Sequence, residues 1–151
     1  MREVKFRGKH IGTGKWITGS LLHDPYRDES EISDHDDMNL RRRDVDPNTV
    51  GQYTGLHDRK DREIYEGDVL FVEFADKSGG RQLVGWNEET ASWGIMSTYE
   101  YQSLKEGDDW PEFKNHTLLG FLKHAITCEV AGNIHDDPEL MNVPCAGEAE
   151  R

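Results

Sequence analysis

The sequence predicts a mainly β protein, a small β-barrel or sandwich with an N-terminal β-hairpin region and one or two short helices. Three observations carry that prediction. Short apolar clusters recur along the chain with glycines between them, and 15 glycines punctuate the 151 residues. Runs rich in Val, Ile, Phe and Trp outnumber stretches with helical periodicity. Four Trp, five Tyr and five Phe, at about 150–250 Å² of buried surface each, supply a core to a chain that is otherwise 32% charged.

The elements follow in order. Val4 to Leu22 holds apolar pairs (Val4 and Phe6, Trp16 and Ile17, Leu21 and Leu22) separated by Gly8, Gly12, Gly14 and Gly19. Glycine adopts backbone angles that other residues resist, so this reads as strands joined by tight turns, with a hairpin turning at Gly12 to Gly14. From His23 to Pro47 the apolar content falls away. Seven acidic residues between Asp24 and Asp37 stand against Arg27 alone, and Arg41, Arg42 and Arg43 follow. Residues 23–47 therefore read as a polar, flexible insertion, either solvated and without a role or an acidic contact surface beside a basic one. The arginines equally suit neutralising their acidic neighbours.

In Val50 to Phe74, Gly55 is expected to end a strand, His57 to Asp61 to form a polar turn and Glu66-Gly67-Asp68 a second turn. Val69 to Phe74 is then a nearly continuous apolar run, the kind buried on both faces or at a barrel corner. Leu83 to Met96 reads as a hairpin with a polar tip, Asn87 to Thr90. Val84 and Trp86 share a face of its first strand, and Trp93 and Ile95 a face of its second. That turn, strand and Trp-bearing hairpin are compatible with an SH3-like barrel. Tyr99 to Asn115, broken by Gly107 and Pro111, is ambiguous, and His116 to His124 is either a strand or a short helical turn. Thr127 to Ile134 reads as a closing strand. Asp137-Pro138-Glu139 then opens a short helix, with Asp as cap, Pro at the first position and Glu near the positive end. The expected organisation is one domain over 1–143, with a barrel-like portion at 50–141 and a disordered tail at 144–151.

No residue pattern marks a reaction. A phosphate-cradling loop needs a second glycine five residues before Gly14 and a hydroxyl after Lys15, and the chain has Lys9 and Trp16 there. No dinucleotide-binding glycine fingerprint and no nucleophile elbow is present. His35-Asp36-Asp37 and His135-Asp136-Asp137 set imidazole beside carboxylates, as divalent-metal sites do, but both lie in loop or capping context. His116 and His124 lack the spacing of a ligand pair. Glu88 with Glu89, and Asp108 with Asp109, point to opposite faces of a strand and do not converge on one bond. Cys128 and Cys145 are the two cysteines, without a Cys-x-x-Cys pair, and read as reduced thiols. Trp86 and Trp93 suit core packing better than a ligand platform. No catalytic residue, cofactor site or metal site is indicated.

The run Gln52-Tyr53-Thr54-Gly55-Leu56, a charged turn, and Glu63-Ile64-Tyr65-Glu66-Gly67-Asp68-Val69 resemble the signature of the YopX family of phage and prophage proteins. Val4-Lys5-Phe6-Arg7-Gly8 is similar to the family's opening, and Gly14-Lys15-Trp16 through Gly19 to Leu21 to its next strand. Glu129-Val130-Ala131-Gly132-Asn133-Ile134 to Pro138-Glu139-Leu140 is similar to its ending. The resemblance implies a mainly β protein with an SH3-like part, encoded by bacteriophages or integrated elements and made in the bacterial cytoplasm. It implies no reaction. The signature residues read as architecture, Gly55 and Gly67 for turns and Tyr53, Ile64, Tyr65 and Val69 for packing.

Three functional readings follow. The favoured one is a non-enzymatic accessory protein that binds a host or phage protein, or assembles with copies of itself. A formal charge of −12 steers association with basic surfaces, and Asp24, Asp28, Glu29, Glu31 and Asp34 are the candidate contacts. A second is a small-ligand binder or enzyme with a pocket lined by His57, Asp58 and the Trp86 hairpin. The third is nucleic-acid binding through Arg41 to Arg43, which the overall negative charge opposes. No apolar stretch reaches the ~20 residues of a membrane span, and the opening lacks the apolar core of a secretory signal. A cytoplasmic protein without a membrane partner is expected.

Overall fold

The computed structural model describes residues 1–104 and 116–142. The expectations for Gly107, Asp108, Asp109, Pro111, Cys145 and the tail 144–151 lie outside the described residues. The chain divides into two compact units, Met1–Gly55 and Leu56–Arg151.

The first unit is built on the strands β1 (Phe6–Lys9), β2 (Trp16–Asp24), β3 (Glu29–Asp34), β4 (Arg42–Val45) and β5 (Gly51–His57), in the order β4-β3-β2-β1-β5. β1 and β2 pair antiparallel around the expected glycine turn, Lys9 opposite Trp16 and Phe6 opposite Gly19. The segment 23–47 is not the unstructured insertion expected of it. It contains the end of β2 and all of β3 and β4, because a few residues in it alternate correctly. Ser30 and Ile32 are buried, Ile32 opposite Leu21 and Arg43, and Ser30 opposite His23 and Val45. Two apolar side chains, Ile32 and Val45, thus fix the register of a stretch that composition reads as loop.

β4 also turns back toward the end of β1. His10 and Val45 form an isolated bridge, the Ile11 N–H donates to the Asp44 carbonyl at 3.0 Å and the Asp46 N–H to the Lys9 carbonyl at 2.8 Å. The contact is a bridge and not a closing ladder. Gly19 is required here by close approach, since a Cβ at that position would fall on the Ser33 carbonyl oxygen.

In the second unit the chain leaves β5 through the Asp58–Arg62 turn into β6 (Glu63–Tyr65), then forms β7 (Asp68–Glu73), β8 (Gly79–Asn87), β9 (Ser92–Ser97), α1 (Thr98–Leu104), β10 (His116–Thr117), α2 (Leu118–His124) and β11 (Thr127–Asn133). The sheet order is β10-β9-β8-β7-β11, all antiparallel. Both faces are covered, as the apolar run in β7 predicted. Leu70, Val72, Val84, Ile95 and Cys128 pack with Ile64, Leu118 and Ala125, with Leu56, Phe121 and Trp93 around them. Val69, Leu83 and Met96 on the other face pack with Met141, Tyr101, Ile134 and Leu140. Each fully buried Val, Leu or Ile contributes about 1.5–3 kcal/mol. Among the described residues no closed barrel is found over 50–141; the five-stranded sheet is open, with edges β10 and β11.

The ambiguous His116 to His124 is both a strand and a helix. Thr117 ends β10 and caps α2, its hydroxyl accepting from the Gly120 N–H at 3.1 Å. The short helix at Asp137 is a 3₁₀ turn, Pro138–Met141, and Asp137 makes no side-chain cap for it.

Candidate functional site

The predicted contact residues sit at the distal end of the β2–β3 hairpin. Asp24 closes β2 and accepts from the backbone N–H groups of Tyr26 (2.9 Å) and Arg27 (3.3 Å), a turn that Asp and its neighbouring backbone form locally. Asp28 adopts a positive φ of 53°, and Glu29 opens β3 directly opposite Asp24. Tyr26 projects from this tip 98% exposed. Glu31 and Asp34 lie further along β3 on opposite faces, and the structure treats them differently from the tip. Glu31 meets Arg42 at 3.7 Å, and Asp34 accepts from the Asp36 N–H at 2.9 Å.

The arginine triplet pairs with two acids of this segment: beside the Arg42–Glu31 pair, Arg43 and Arg41 approach Asp37 at 3.4 and 4.0 Å. Pairs this exposed are each worth about 0–1 kcal/mol. Asp24, Asp28 and Glu29 at the tip make no ion pair among the described residues, and neither do Asp34 and Asp36 further along.

The signature residues gather by unit. In β1 and β2, Phe6 is half-buried and the Arg7 guanidinium stacks 4.7 Å from the Trp16 ring, with Lys9 at 5.6 Å. A Cβ on Gly8 would stand 2.9 Å from Val45, so Gly8, like Gly19, is there for packing and not for a turn. Tyr53 is buried, with Lys5 4.8 Å from its ring. Thr54 and Gly55 follow within β5, Gly55 at φ 80°, so that glycine lies inside the strand it was expected to end.

In the second unit two stretches far apart in sequence meet. Leu56 and Ile64 enter the core. Tyr65 is buried and its hydroxyl donates to Glu63 at 2.8 Å. Glu66 precedes Gly67, whose φ of 87° is the left-handed turn that glycine makes without strain. Asp68 is 1% exposed and accepts from the Tyr65 N–H at 2.8 Å, closing the turn into Val69. Across the sheet Asn133 stands opposite Asp68. The Gly67 N–H donates to the Val84 carbonyl (2.9 Å), and the Ile134 N–H donates to the Gly67 carbonyl (2.8 Å). Asn133 accepts from the N–H groups of His135 and Asp136 and donates to the Asp136 carboxylate at 3.0 Å. Asp137 accepts from the Asn133 N–H at 3.3 Å, and a Cβ on Gly132 would land on that Asp137 carboxylate. Pro138 then starts the 3₁₀ turn.

The histidine triplets are thereby accounted for. His135-Asp136-Asp137 shapes the end of β11. His35 meets the Ser20 hydroxyl at 3.1 Å, and Asp37 accepts from the Asn39 N–H at 2.9 Å. Among the described residues no group of three or more His, Cys, Asp or Glu is arranged to hold a metal. His116 stacks edge-on against Phe121 at 5.5 Å, and Trp86 against Trp93 at 5.0 Å.

His57 and Asp58 part company. His57 is exposed, whereas Asp58 is buried in the turn that begins with it. One carboxylate oxygen accepts from the N–H groups of Lys60 and Arg62, and the other from Arg62 Nε and the Val130 N–H, all at 2.9 Å. Val130 borders the β-bulge in β11, so this carboxylate satisfies a donor on that strand. Burial pushes the Asp58 carboxyl upward, but the hydrogen bonds from Val130, Arg62 and Lys60 prevail and hold it below the usual value. Its importance was invisible in sequence, because nothing local announces that Val130 is the partner. Cys128 lies beneath; burial first, then the Asp58 charge, pushes its thiol up to about 11. It is protonated at neutral pH and not poised as a nucleophile.

No curated protein matches the chain. The family profile described as YopX protein matches residues 5–142. That span takes in both strand systems and every signature residue placed above, from Phe6 to Pro138, and on that match the chain belongs to the YopX protein family.

Proposed function

We propose that this chain is a non-enzymatic accessory module, encoded by a phage or prophage and working in the cytoplasm of the bacterial host. It binds a host or phage protein, or assembles with copies of itself. The observation that carries the reading is the β2–β3 tip, where Tyr26 is 98% exposed among Asp24, Asp28 and Glu29. Tyrosine is favoured at protein interfaces, and uncompensated carboxylates around it speed encounter with a basic surface. The arginines that a nucleic-acid reading would use are engaged with Glu31 and Asp37, which weighs against that alternative. In the second unit, β11 returns beside β7 after α2. That connectivity supports relating it to SH3-like folds, which often serve as binding modules.

The test is affinity capture from host lysate with and without nuclease, read by mass spectrometry. A single stoichiometric, nuclease-resistant protein lost on Tyr26→Ala and on charge reversal at Asp24, Asp28 and Glu29 supports the reading. Capture that depends on nucleic acid, or that survives all of these changes, overturns it.

A further inference from the structure

The β2–β3 hairpin carries an open strand edge as well as an acidic tip. Even-numbered residues of β2 bond to β3, as the His35 N–H does to the Thr18 carbonyl at 3.1 Å, in the register Ser20 opposite Ser33 and Leu22 opposite Glu31. Odd-numbered residues bond to β1, as the His10 N–H does to the Lys15 carbonyl at 2.8 Å, in the register Gly8 opposite Ile17. The β1 ladder stops at Phe6 opposite Gly19, while β2 continues to Asp24. The backbone N–H and C=O of Leu21 and His23 therefore point out of the sheet, with no backbone partner among the described residues. Such an edge is a template for an added strand.

We propose that the Leu21–His23 edge of β2 accepts an extended, basic segment of the partner protein as an added antiparallel strand; this rests on the protein-binding reading above. The side chains beside the edge select the occupant. A residue opposite Leu22 meets a side chain 52% exposed, which suits an apolar contact. A residue two positions away lies opposite Asp24, on the same face as Glu29. Two carboxylates facing each other across a ladder destabilise it, and a Lys or Arg on the incoming strand relieves that repulsion. A second copy of the chain would bring like charge to the same place.

The test measures amide hydrogen exchange by NMR on the full chain. The probe is the peptide acetyl-Lys-Thr-Val-Thr-Lys-Thr-amide, with acetyl-Glu-Thr-Val-Thr-Glu-Thr-amide as its acidic counterpart. With the basic peptide, exchange at Leu21 and His23 slows while Leu22, already bonded to β3, is unchanged; the acidic peptide protects neither. His23→Pro removes an edge donor and leaves the backbone ladder to β3 in place, at the loss of the 2.9 Å contact between His23 Nδ1 and the Ser30 hydroxyl; edge strands tolerate proline at such a position, and the variant weakens peptide binding about tenfold. Should that variant fail to fold, Glu29→Lys serves instead, abolishing the preference for the basic peptide. Unchanged exchange at Leu21 and His23, or equal protection by the acidic peptide, overturns the proposal. So does protection already present in the free protein, which would mean that Arg2 to Val4 occupy the edge when it is independent of concentration, or a second copy when it is not. A lysate partner that His23→Pro still captures overturns the edge and leaves the protein-binding reading standing.

Discussion

The turns after Asp24 and after Asp58 are built on one plan and used in opposite ways. Each opens with an aspartate whose side chain accepts the N–H two residues on, and each carries another aspartate at positive φ just before the chain re-extends, Asp28 at 53° and Asp61 at 61°. The difference lies in the second carboxylate oxygen. On Asp58 it reaches Arg62 Nε and the backbone of Val130, far along the chain, and is buried; the turn after Asp24 stays at an exposed tip. The same local chemistry makes a structural joint where it meets a distant strand and an exposed acidic tip where it does not.

The largest expected effect tests that contrast directly. Asp58→Ala leaves the Val130 donor and the turn amides unsatisfied, and costs about 3 kcal/mol in urea unfolding; Asp24→Ala, at an exposed turn, costs about 0.5–1 kcal/mol. Equal losses would break the comparison. Next, Gly132→Ala drives a Cβ onto the Asp137 carboxylate and to 2.8 Å from Leu140, for about 1–3 kcal/mol of overpacking. A smaller loss would show that the end of β11 yields.

Acid sharpens the contrast. The Asp58 carboxyl is held below its usual value in the folded state, so its contribution is complete above the ordinary aspartate range, near about pH 4, and disappears as pH falls through the lower folded value. Stability measured from pH 5 downward should fall in the parent, and more shallowly in Asp58→Asn. At the alkaline end Cys128, raised to about 11, contributes fully below the ordinary thiol range of about 8.5 and loses that contribution as pH rises to the folded value. Cys128→Ala should flatten that slope. The smallest effect is Arg42→Ala, which removes an exposed pair with Glu31 and should change stability by about 0.5 kcal/mol or less. A larger loss would mean that β4 depends on its arginines and not on Val45.

Several elements were legible in the residues themselves. The Gly12–Gly14 hairpin, the apolar β7, the Trp86–Trp93 hairpin and the closing strand β11 all follow from alternation and turn chemistry within a short window. The strands β3 and β4 were not legible, because seven acidic residues mask a register held by Ile32 and Val45. Gly8 and Gly19 looked like turn residues and proved to be spacers, since only the position of Val45 and of the Ser33 carbonyl shows what a side chain would strike. The acidic run was plain in the sequence, but that Glu31 is paired while the tip residues Asp24, Asp28 and Glu29 are not depends on where β4 places Arg42.

By itself, then, the sequence determined the β class, the principal turns and the family, since these rest on neighbours a few residues apart and on signature runs read in order. Tertiary structure alone decided that β3 and β4 pair within the acidic segment, that Asp58 serves Val130, and that β2 outruns β1 to leave an open edge. Each of these depends on which distant backbone groups come within hydrogen-bonding reach of about 3 Å, and no local pattern encodes that distance.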